Sequence, residues 1–341
     1  MSYKATIIIP TLNEVNFLKN CIKSIVNDCL DFNNYEVFIV DGGSTDGTNE
    51  LISELKYTYS NIKYFNNLDK YAASAMNIGI SESTTDYIIR LDAHAIYLDS
   101  YIDRAINFLK RSDLMVANVG GTIDTKPSNS KIIPNIIAYV LKSSFGVGNS
   151  KFRTQKFIHE TEVDTVPFGC FKKKALIDIG LYNENEYRGE DLDLNTRLIK
   201  KNYKVILLPE LKSIYYSRDT YMSFVKQTFK NGYTVFREFR GKKAYHKIRH
   251  YIPCIFILFQ IMLLISLLLI PNLFFTKLLI LVLLVYVFLS IIFSIRIIKS
   301  RYGFFSFLLS PLIFYSLHTF YGLGSLIAIM KLFINFNSIN K

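Results

Sequence analysis

Apolar runs of strand length alternate with helix-periodic segments over about the first 125 residues. The pattern predicts strands at residues 6–9, 37–40, 62–65 and 87–91, and helices at residues 16–26, 48–55, 71–80 and 101–109. Strands that are apolar on both faces and alternate with helices indicate an α/β domain, in which helices cover both sides of a mostly parallel sheet. Ligands bind such sheets beyond the carboxyl ends of the strands, so the polar residues after each strand are the candidates for chemistry.

A different pattern occupies the last quarter of the chain. Three long apolar stretches with at most one charged residue each lie at residues 252–270, 273–295 and 304–330. A helix needs about 20 apolar residues to cross a bilayer, so these stretches predict two to three transmembrane helices. The third stretch contains residues that favour a kinked or partly re-entrant segment, namely Pro311, His318, Gly322 and Gly324.

The net charge of +12 is unevenly distributed. Residues 237–250 contribute +5 and residues 251–341 contribute +6, which leaves +1 for the rest. A nearly neutral N-terminal part argues against a nucleic-acid groove, so we expect no nucleic-acid partner. The basic clusters at residues 237–249 and 296–301 flank the first two predicted spans. The positive-inside rule places both clusters in the cytoplasm and Asn272 outside.

These patterns predict three regions: a cytoplasmic domain at residues 1–240, a basic juxtamembrane segment at 241–251 and a membrane region at 252–334. The chain begins without the apolar core of a secretory signal, so we expect a multi-pass protein of the cell membrane whose N-terminal domain faces the cytoplasm. Four cysteines show no metal-binding spacing, and we expect buried thiols.

Acidic side chains follow three of the predicted strands. Glu14 follows the first strand, Asp41 the second, and Asp92 and His94 the fourth. Turn formation and helix capping account for many such residues. An acid and an imidazole two residues apart after a buried strand instead suit a divalent cation, Mn²⁺ or Mg²⁺, and the imidazole favours Mn²⁺. The sequence therefore predicts a metal site at Asp92 and His94.

Four segments resemble, in order and spacing, the family-2 inverting glycosyltransferases with the GT-A (Rossmann-like) fold. They are Pro-Thr-Leu-Asn-Glu at 10–14, Val-Asp-Gly-Gly-Ser-Thr-Asp-Gly-Thr at 40–48, Arg-Leu-Asp-Ala-His at 90–94 and Gly-Glu-Asp-Leu-Asp-Leu-Asn-Thr-Arg-Leu at 189–198. The chain is more closely similar to the succinoglycan-type exopolysaccharide glycosyltransferases, which carry stretches like residues 145–153 and 163–169 and a hydrophobic C-terminal tail. The resemblance covers roughly residues 5–240.

The resemblance implies a nucleotide-sugar site in which the acid matching Asp41 contacts the base, usually uracil, and Asp92 lies at the diphosphate and its metal. The implied donor-binding residues are Pro10, Thr11, Asn13, Glu14, Asp41, Ser44, Lys70 and Asp92. His94 stands where the commoner Asp-x-Asp motif has its second acid, and two roles stay open: a direct ligand or a support for one. Lys70 either reaches the phosphates or is a solvated lysine.

The resemblance also implies that Asp191 is the general base and that Glu190 orients it. Acids favour a helix N-terminus in any case, so helix stabilisation is the alternative role. The implied acceptor-side residues are Arg153, Gly169 and Arg197. Arg197 either pairs with an acid of this cluster or has a surface role.

Two loops carry open alternatives. Residues 145–153 are interrupted by two glycines and basic at the end, which fits a mobile cover over the site or an ordinary surface loop. The apolar run at residues 132–141 fits a membrane-surface helix or a core helix.

The implied activity is inverting transfer of one sugar from a nucleotide sugar to a lipid-linked glycan in polysaccharide biosynthesis. The implied partners are the nucleotide-sugar donor, the lipid-linked acceptor and the membrane lipid. Two alternatives remain: a polyprenyl-phosphate sugar synthase, and a non-enzymatic membrane scaffold with a degenerate nucleotide-binding domain. A processive synthase is disfavoured, because the Gln-x-x-Arg-Trp segment of those enzymes has no counterpart in a chain without tryptophan.

Overall fold

The computed structural model describes residues 3–148, 150–154, 158–185, 189–237, 248–269 and 272–339. The chain forms two compact units, one of residues 1–124 with 151–215 and one of residues 125–150 with 216–341. The region predicted as one domain, residues 1–240, therefore contributes to both units. Most of the predicted basic segment, residues 241–251, lies outside the described residues.

Within the described residues, one sheet contains nine strands, β1 to β9: Ala5–Thr11, Tyr35–Asp41, Ile62–Asn66, Tyr87–Arg90, Ala95–Leu98, Val116–Lys126, Thr161–Glu162, Cys170–Lys172 and Lys204–Tyr216. The described α-helices, α1 to α13, are Leu18–Asp28, Thr48–Thr58, Ala72–Glu82, Tyr101–Arg111, Ile132–Lys142, Ser144–Val147, Lys151–Thr154, Lys173–Asp178, Glu190–Lys200, Tyr221–Arg237, Ile248–Leu269, Leu273–Ser294 and Gly303–Ile339.

The strand order is β3-β2-β1-β4-β8-β6-β9-β5, and β7 pairs with β9. The four strands from β3 to β4 are parallel to one another, as their apolar runs predict. Strand β8 is antiparallel to both β4 and β6, and β5 is antiparallel to β9. The predicted α/β fold with a largely parallel sheet is thus confirmed, and an antiparallel portion follows the parallel one.

Helices cover both faces of the parallel strands. Helix α1 buries residues spaced three or four apart, which places them on one face, and it packs with α4 on one side of the sheet. Helices α3 and α9 bury apolar residues on the other side. The register pairs Thr11 with Asp41, so β1 and β2 end at the same edge. All four cysteines are buried and free, as predicted.

The second unit contains three helices whose length and composition suit membrane crossing: His250–Leu269, Leu273–Lys299 and Gly303–Leu332. They coincide with the three predicted stretches. Helix α13 is continuous through Pro311, so the predicted kink does not interrupt it. Helix α5, the apolar run whose location was open, packs in the core of this unit beside α10 and α13.

Two glycines read as helix breakers instead allow close helix packing. A Cβ atom on Gly324 would lie 2.2 Å from the carbonyl oxygen of Phe229 in α10. A Cβ atom on Gly322 would lie 2.3 Å from the carbonyl oxygen of Pro253 in α11. Neither distance is possible for a real side chain, so these glycines allow α13 to contact both neighbours backbone to backbone.

Candidate active site

The turn after β2 is built around the Asp41 carboxylate. Asp41 is fully buried, and it accepts hydrogen bonds from the backbone N–H groups of Gly43 and Ser44 at 2.9 Å each. The Ser44 hydroxyl donates to the same carboxylate. Gly43 has φ of 79°, a conformation in which only glycine is unstrained. The side chain predicted at the nucleotide base thus also shapes the loop that surrounds it.

The loop after β1 is tied to this turn. The backbone N–H of Asn13 donates to the Ser44 hydroxyl at 2.7 Å, and the Asn13 side chain accepts from the N–H of Thr45 at 2.9 Å. The Glu14 N–H donates to the Thr48 hydroxyl at 3.0 Å. The predicted donor-binding loops therefore form one hydrogen-bonded wall at the sheet edge, with Pro10 and Thr11 at the end of the strand beneath it.

Lys70 reaches the same edge from the loop after β3. Its Cα lies 3.1 Å from where a Cβ on Gly42 would be, so the two loops approach closely at this glycine. Lys70 has φ of 65° and its side chain is exposed.

Asp92 and His94 follow β4 on a supported turn. The backbone N–H of Asp92 donates to the hydroxyl of Tyr97 at 2.8 Å, and Tyr97 is 1 % exposed. His94 Nδ1 lies 3.1 Å from Oε1 of Glu14, which joins the β4 turn to the β1 loop. The His94 ring also meets the edge of Tyr215, with ring centroids 5.7 Å apart.

These two side chains fit a divalent cation of the kind that also binds phosphate. In the described part of the chain, no group of three His, Cys, Asp or Glu side chains forms a metal cluster. Mg²⁺ and Mn²⁺ at nucleotide phosphates commonly use one or two protein ligands, and phosphate and water supply the others. Asp92 and His94, whose side chains are each 28 % exposed, offer such a pair.

Arg90, the last residue of β4, contacts acids from the turn after β4 and from the start of α9. It was not predicted as a site residue. Its Nη2 lies 2.8 Å from Oε1 of Glu190 and 3.6 Å from Oδ1 of Asp92. Its Nη1 contacts Asp191. Arg90 is only 7 % exposed, and a cation at the end of a buried strand needs anionic partners. That requirement is the one signal by which the sequence could have identified it.

The acids open helix α9 without capping it. Gly189 is the N-cap residue, with φ of 86°, and its carbonyl accepts from Leu192 and Asp193. Glu190 and Asp191 direct their carboxylates to Arg90. The alternative role of helix stabilisation therefore does not account for these contacts.

The charged groups around Arg90 shift one another's pKa values. Burial opposes the charge of Arg90, yet Asp191, Glu190 and Asp92 raise its pKa well above the usual value. Burial raises the pKa of Asp191 to about 7, with Glu190 and Asp92 adding to the effect and Arg90 opposing it. Burial also raises the pKa of Tyr182, which lies beside the cluster. A carboxylate that titrates near neutral pH suits a general base.

The three predicted acceptor-side residues have different surroundings. Arg197 pairs with Asp193 at 2.8 Å and donates to the carbonyls of Ile179 and Leu181, so it braces the start of α9. The carbonyl of Gly169 accepts from the N–H of Arg90 at 2.9 Å, which places this glycine under the cluster. Arg153 lies over the ring of Tyr215, 5.3 Å from its centroid.

The segment at residues 145–153 is not a single open loop. Within the described residues it contains part of α6 and of α7. The Phe145 ring stacks on Phe293 at 5.1 Å, and its carbonyl accepts from His318 Nε2 at 2.9 Å. The first part of this segment is thus packed in the second unit. These contacts do not favour a mobile cover at Phe145.

Comparisons with known proteins agree with this fold. Residues 6–180 match the profile of the family described as Glycosyl transferase family 2. The chain is 30 % identical over 274 residues to a dolichyl N-acetyl-α-D-glucosaminyl phosphate 3-β-D-2,3-diacetamido-2,3-dideoxy-β-D-glucuronosyltransferase of Methanococcus voltae, covering 78 % of this chain and 82 % of that protein. It is 27 % identical over 255 residues to succinoglycan biosynthesis protein ExoA of Rhizobium meliloti (strain 1021), covering 74 % and 75 %.

A solved structure shares the fold. It is that of the mannosyltransferase PcManGT from Pyrobaculum calidifontis in complex with GDP-Man and Mn²⁺, with a TM-score of 0.58 and 16 % identity, covering 94 % of this chain and 87 % of that one. The fold is that of a GT-A glycosyltransferase. The chain belongs to glycosyl transferase family 2, and its relatives act in glycan biosynthesis. This membership favours the enzyme over the non-enzymatic scaffold.

Proposed function

We propose that this protein is a membrane-bound inverting glycosyltransferase that transfers one sugar from a nucleotide sugar, a UDP-sugar, to a lipid-linked glycan acceptor. The observation that carries the proposal is the Arg90 cluster. One guanidinium contacts Asp92, which follows β4 at the predicted donor side, and Glu190 and Asp191, which begin α9. A donor acid and a candidate base are thereby held by one cation.

The reaction follows from these positions. Asp191 accepts the proton of the acceptor hydroxyl as that oxygen forms a bond to the anomeric carbon. The bond from that carbon to the nucleoside diphosphate breaks, and the electron pair leaves with the diphosphate. Attack from the opposite face inverts the anomeric configuration. Glu190 binds Arg90 and keeps its guanidinium in place. The guanidinium in turn orients the Asp191 carboxylate.

Asp92 and His94 would hold a divalent cation, which when bound neutralises charge on the departing diphosphate. Glu14 contacts His94 and fixes its ring. The residues proposed to border the nucleoside are those of the hydrogen-bonded wall: Pro10, Thr11, Asn13, Glu14, Asp41 and Ser44. Lys70, exposed at the same edge, would meet the phosphates as a point charge.

A lipid-linked acceptor is supported by two features. The relative from Methanococcus voltae is named for an acceptor sugar carried on dolichyl phosphate. Three helices of this chain have the length and composition of membrane spans. We propose that Arg153, Gly169 and Arg197 lie toward the acceptor, and that the catalytic region at residues 1–240 faces the cytoplasm, followed by the juxtamembrane segment at 241–251 and the membrane region at 252–334.

The test is a transfer assay with the purified full-length protein in lipid nanodiscs. A panel of UDP- and GDP-sugars is offered with polyprenyl-diphosphate-linked monosaccharides or with polyprenyl phosphate. We expect transfer from a UDP-sugar to the linked saccharide, and a product whose anomeric configuration by NMR is opposite to that of the donor. Transfer to polyprenyl phosphate alone would instead identify a polyprenyl-phosphate sugar synthase, and a retained configuration would contradict the role of Asp191.

A further inference from the structure

Helix α13 is long and apolar enough to cross a membrane, yet its contacts in the second unit do not fit a third span. Helices α11 and α12 run antiparallel, because only residues 270–272 separate them in the chain and Phe256 of α11 stacks on Tyr286 of α12 at 5.0 Å. If both cross the bilayer, the start of α11 and the end of α12 lie at the same membrane face. Helix α13 begins at Gly303, a few residues after α12, and so starts at this face as well.

A crossing helix would then carry its later residues to the opposite face. Tyr321 lies 18 residues beyond Gly303, a rise of about 27 Å in an α-helix. That rise nearly equals the hydrocarbon thickness of about 30 Å. Tyr321 of a spanning helix would therefore lie near the membrane face at which α11 ends.

The observed contacts place Tyr321 at the other end of α11. Its hydroxyl lies 2.7 Å from Nδ1 of His250, in the first turn of that helix. The next residue, Gly322, packs against the carbonyl of Pro253. Pro253 lies 17 residues before the hairpin turn, which is about 26 Å along a helix. Gly303 and Tyr321 are thus both at the face where α11 begins.

Helix α10 gives an independent indication. It runs alongside the second half of α13: Tyr221 hydrogen-bonds Ser316 at 2.9 Å, and Lys331 lies over Tyr233 at 5.4 Å from its ring centroid. Between these points Ser325 donates to the carbonyl of Gly232 at 3.2 Å. The two helices therefore lie side by side over most of the length of α10.

The exposed side of α10 is unsuited to hydrocarbon. Lys226 and Lys230 are exposed there, four residues apart. Charged side chains are costly inside a bilayer but favourable at its headgroups. Because α10 precedes α11, it lies at the face where the hairpin enters, and the half of α13 packed on it lies there too.

We infer that α13 is a membrane-surface helix, which with α10 forms a platform on the lipid headgroups, and that the chain crosses the bilayer twice. The first half of α13 exposes Phe304, Leu308 and Leu312 on one face, at a spacing of four residues. This face is the one that dips into the acyl chains. The end of α13 then lies on the same side of the membrane as the start of α11. The inference concerns topology and does not depend on the proposed chemistry.

Cysteine labelling of the full-length chain in sealed, oriented membrane vesicles tests this topology. The added cysteines are Asn272→Cys in the hairpin turn, Arg301→Cys just before α13 and Ser338→Cys near its end. The unaltered chain, whose four cysteines are buried, is the blank. We expect a membrane-impermeant maleimide to label the Arg301 and Ser338 variants from one side and the Asn272 variant from the other.

Labelling of the Ser338 variant from the same side as the Asn272 variant would overturn the inference. If the Ser338 variant reacts from neither side, reporters fused after Lys341 decide the question. Green fluorescent protein fluorescence, matched by the same reporter at the N-terminus, supports two crossings. Alkaline phosphatase activity after Lys341, with fluorescence at the N-terminus, establishes three. Both readouts are independent of sugar transfer, so they are separable from a failure of the proposed function.

Discussion

Nη2 of Arg90 lies 2.8 Å from Oε1 of Glu190, although 100 residues separate them in the chain. The contact fastens the start of α9 to the end of β4. The same guanidinium contacts Asp191 and lies 3.6 Å from Asp92. Arginine suits this position because its planar fork presents several donors at once, whereas lysine is a point charge.

Arg90→Lys should fold but transfer sugar at least about tenfold more slowly, because an ammonium group cannot hold Glu190 and Asp191 in one geometry. We expect the loss in kcat with little change in the KM for the nucleotide sugar. Steady-state kinetics in nanodiscs measures both. Arg104→Lys is the control, since Arg104 is exposed on α4 and belongs to no proposed site. A loss in the control as large as that in Arg90→Lys would refute a specific role for Arg90.

Arg90→Met should destabilise the protein, because it leaves acids clustered without their cation. Removal of one partner from a buried ion pair costs about 3–5 kcal/mol. The cost here should be lower, since the Asp191 side chain is 35 % exposed. Thermal unfolding followed by circular dichroism should show a lower midpoint than for Arg90→Lys. An unchanged midpoint would mean that water already screens these charges.

Asp191→Asn should abolish the base while preserving the fold. Asn is similar in size, and Gly189 rather than Asp191 caps the helix. A general base typically contributes about 10²–10⁴-fold in rate, so we expect transfer to fall by that factor with unchanged UDP affinity. Asp193→Asn in the same first turn is the control and should retain most activity. Normal turnover in Asp191→Asn, with donor binding intact, would move the base to Glu190.

The pH dependence of transfer should report the same group. A base works only when deprotonated, and burial raises the pKa of Asp191 to about 7. Activity should therefore rise about tenfold per pH unit below about 7 and level off above it. The neighbouring groups are Arg90, Glu190, Asp92 and Tyr182. Glu190→Gln should shift the midpoint to lower pH, because Glu190 raises this pKa. A profile in Asp191→Asn identical in shape to that of the unaltered enzyme would exclude the assignment.

The parallel part of the sheet could be predicted because its strands are short, largely apolar runs that alternate with helix-periodic segments. Strands β7 and β8 could not, since segments of two and three residues are too short to show a period. The acids could be predicted from strand ends and resemblance, whereas the only signal for Arg90 is a cation at the end of a buried strand, because its partners on α9 come from a distant segment. From the sequence, Gly322 and Gly324 indicate a helix kink. Their role in close packing could not be predicted, because the sequence does not reveal which backbone lies against them.

Removal of divalent cation should abolish transfer if Asp92 and His94 hold it. Asp92→Asn should lose nearly all turnover, and titration calorimetry should show that Mn²⁺ no longer strengthens UDP binding. His94→Asp should keep much of the activity and shift preference from Mn²⁺ toward Mg²⁺, because a carboxylate replaces an imidazole. Asp99→Asn is the control, since Asp99 is exposed and pairs with Lys212. Full activity in excess chelator would remove the metal from the mechanism.

Gly324→Ala should destabilise the second unit, although alanine normally stabilises a helix by about 1 kcal/mol relative to glycine. The added Cβ would lie 2.2 Å from the carbonyl oxygen of Phe229, and a backbone atom cannot move aside as a flexible side chain can. Helices α10 and α13 must therefore separate, with loss of the packing around Ser325 and Gly232. Ile327→Ala is the matched control, since Ile327 is 38 % exposed on the same helix. We expect the midpoint of thermal unfolding to fall in Gly324→Ala and to change little in Ile327→Ala. A higher midpoint in Gly324→Ala would show that helix propensity outweighs this contact, and that the two helices do not pack as closely as the structure shows.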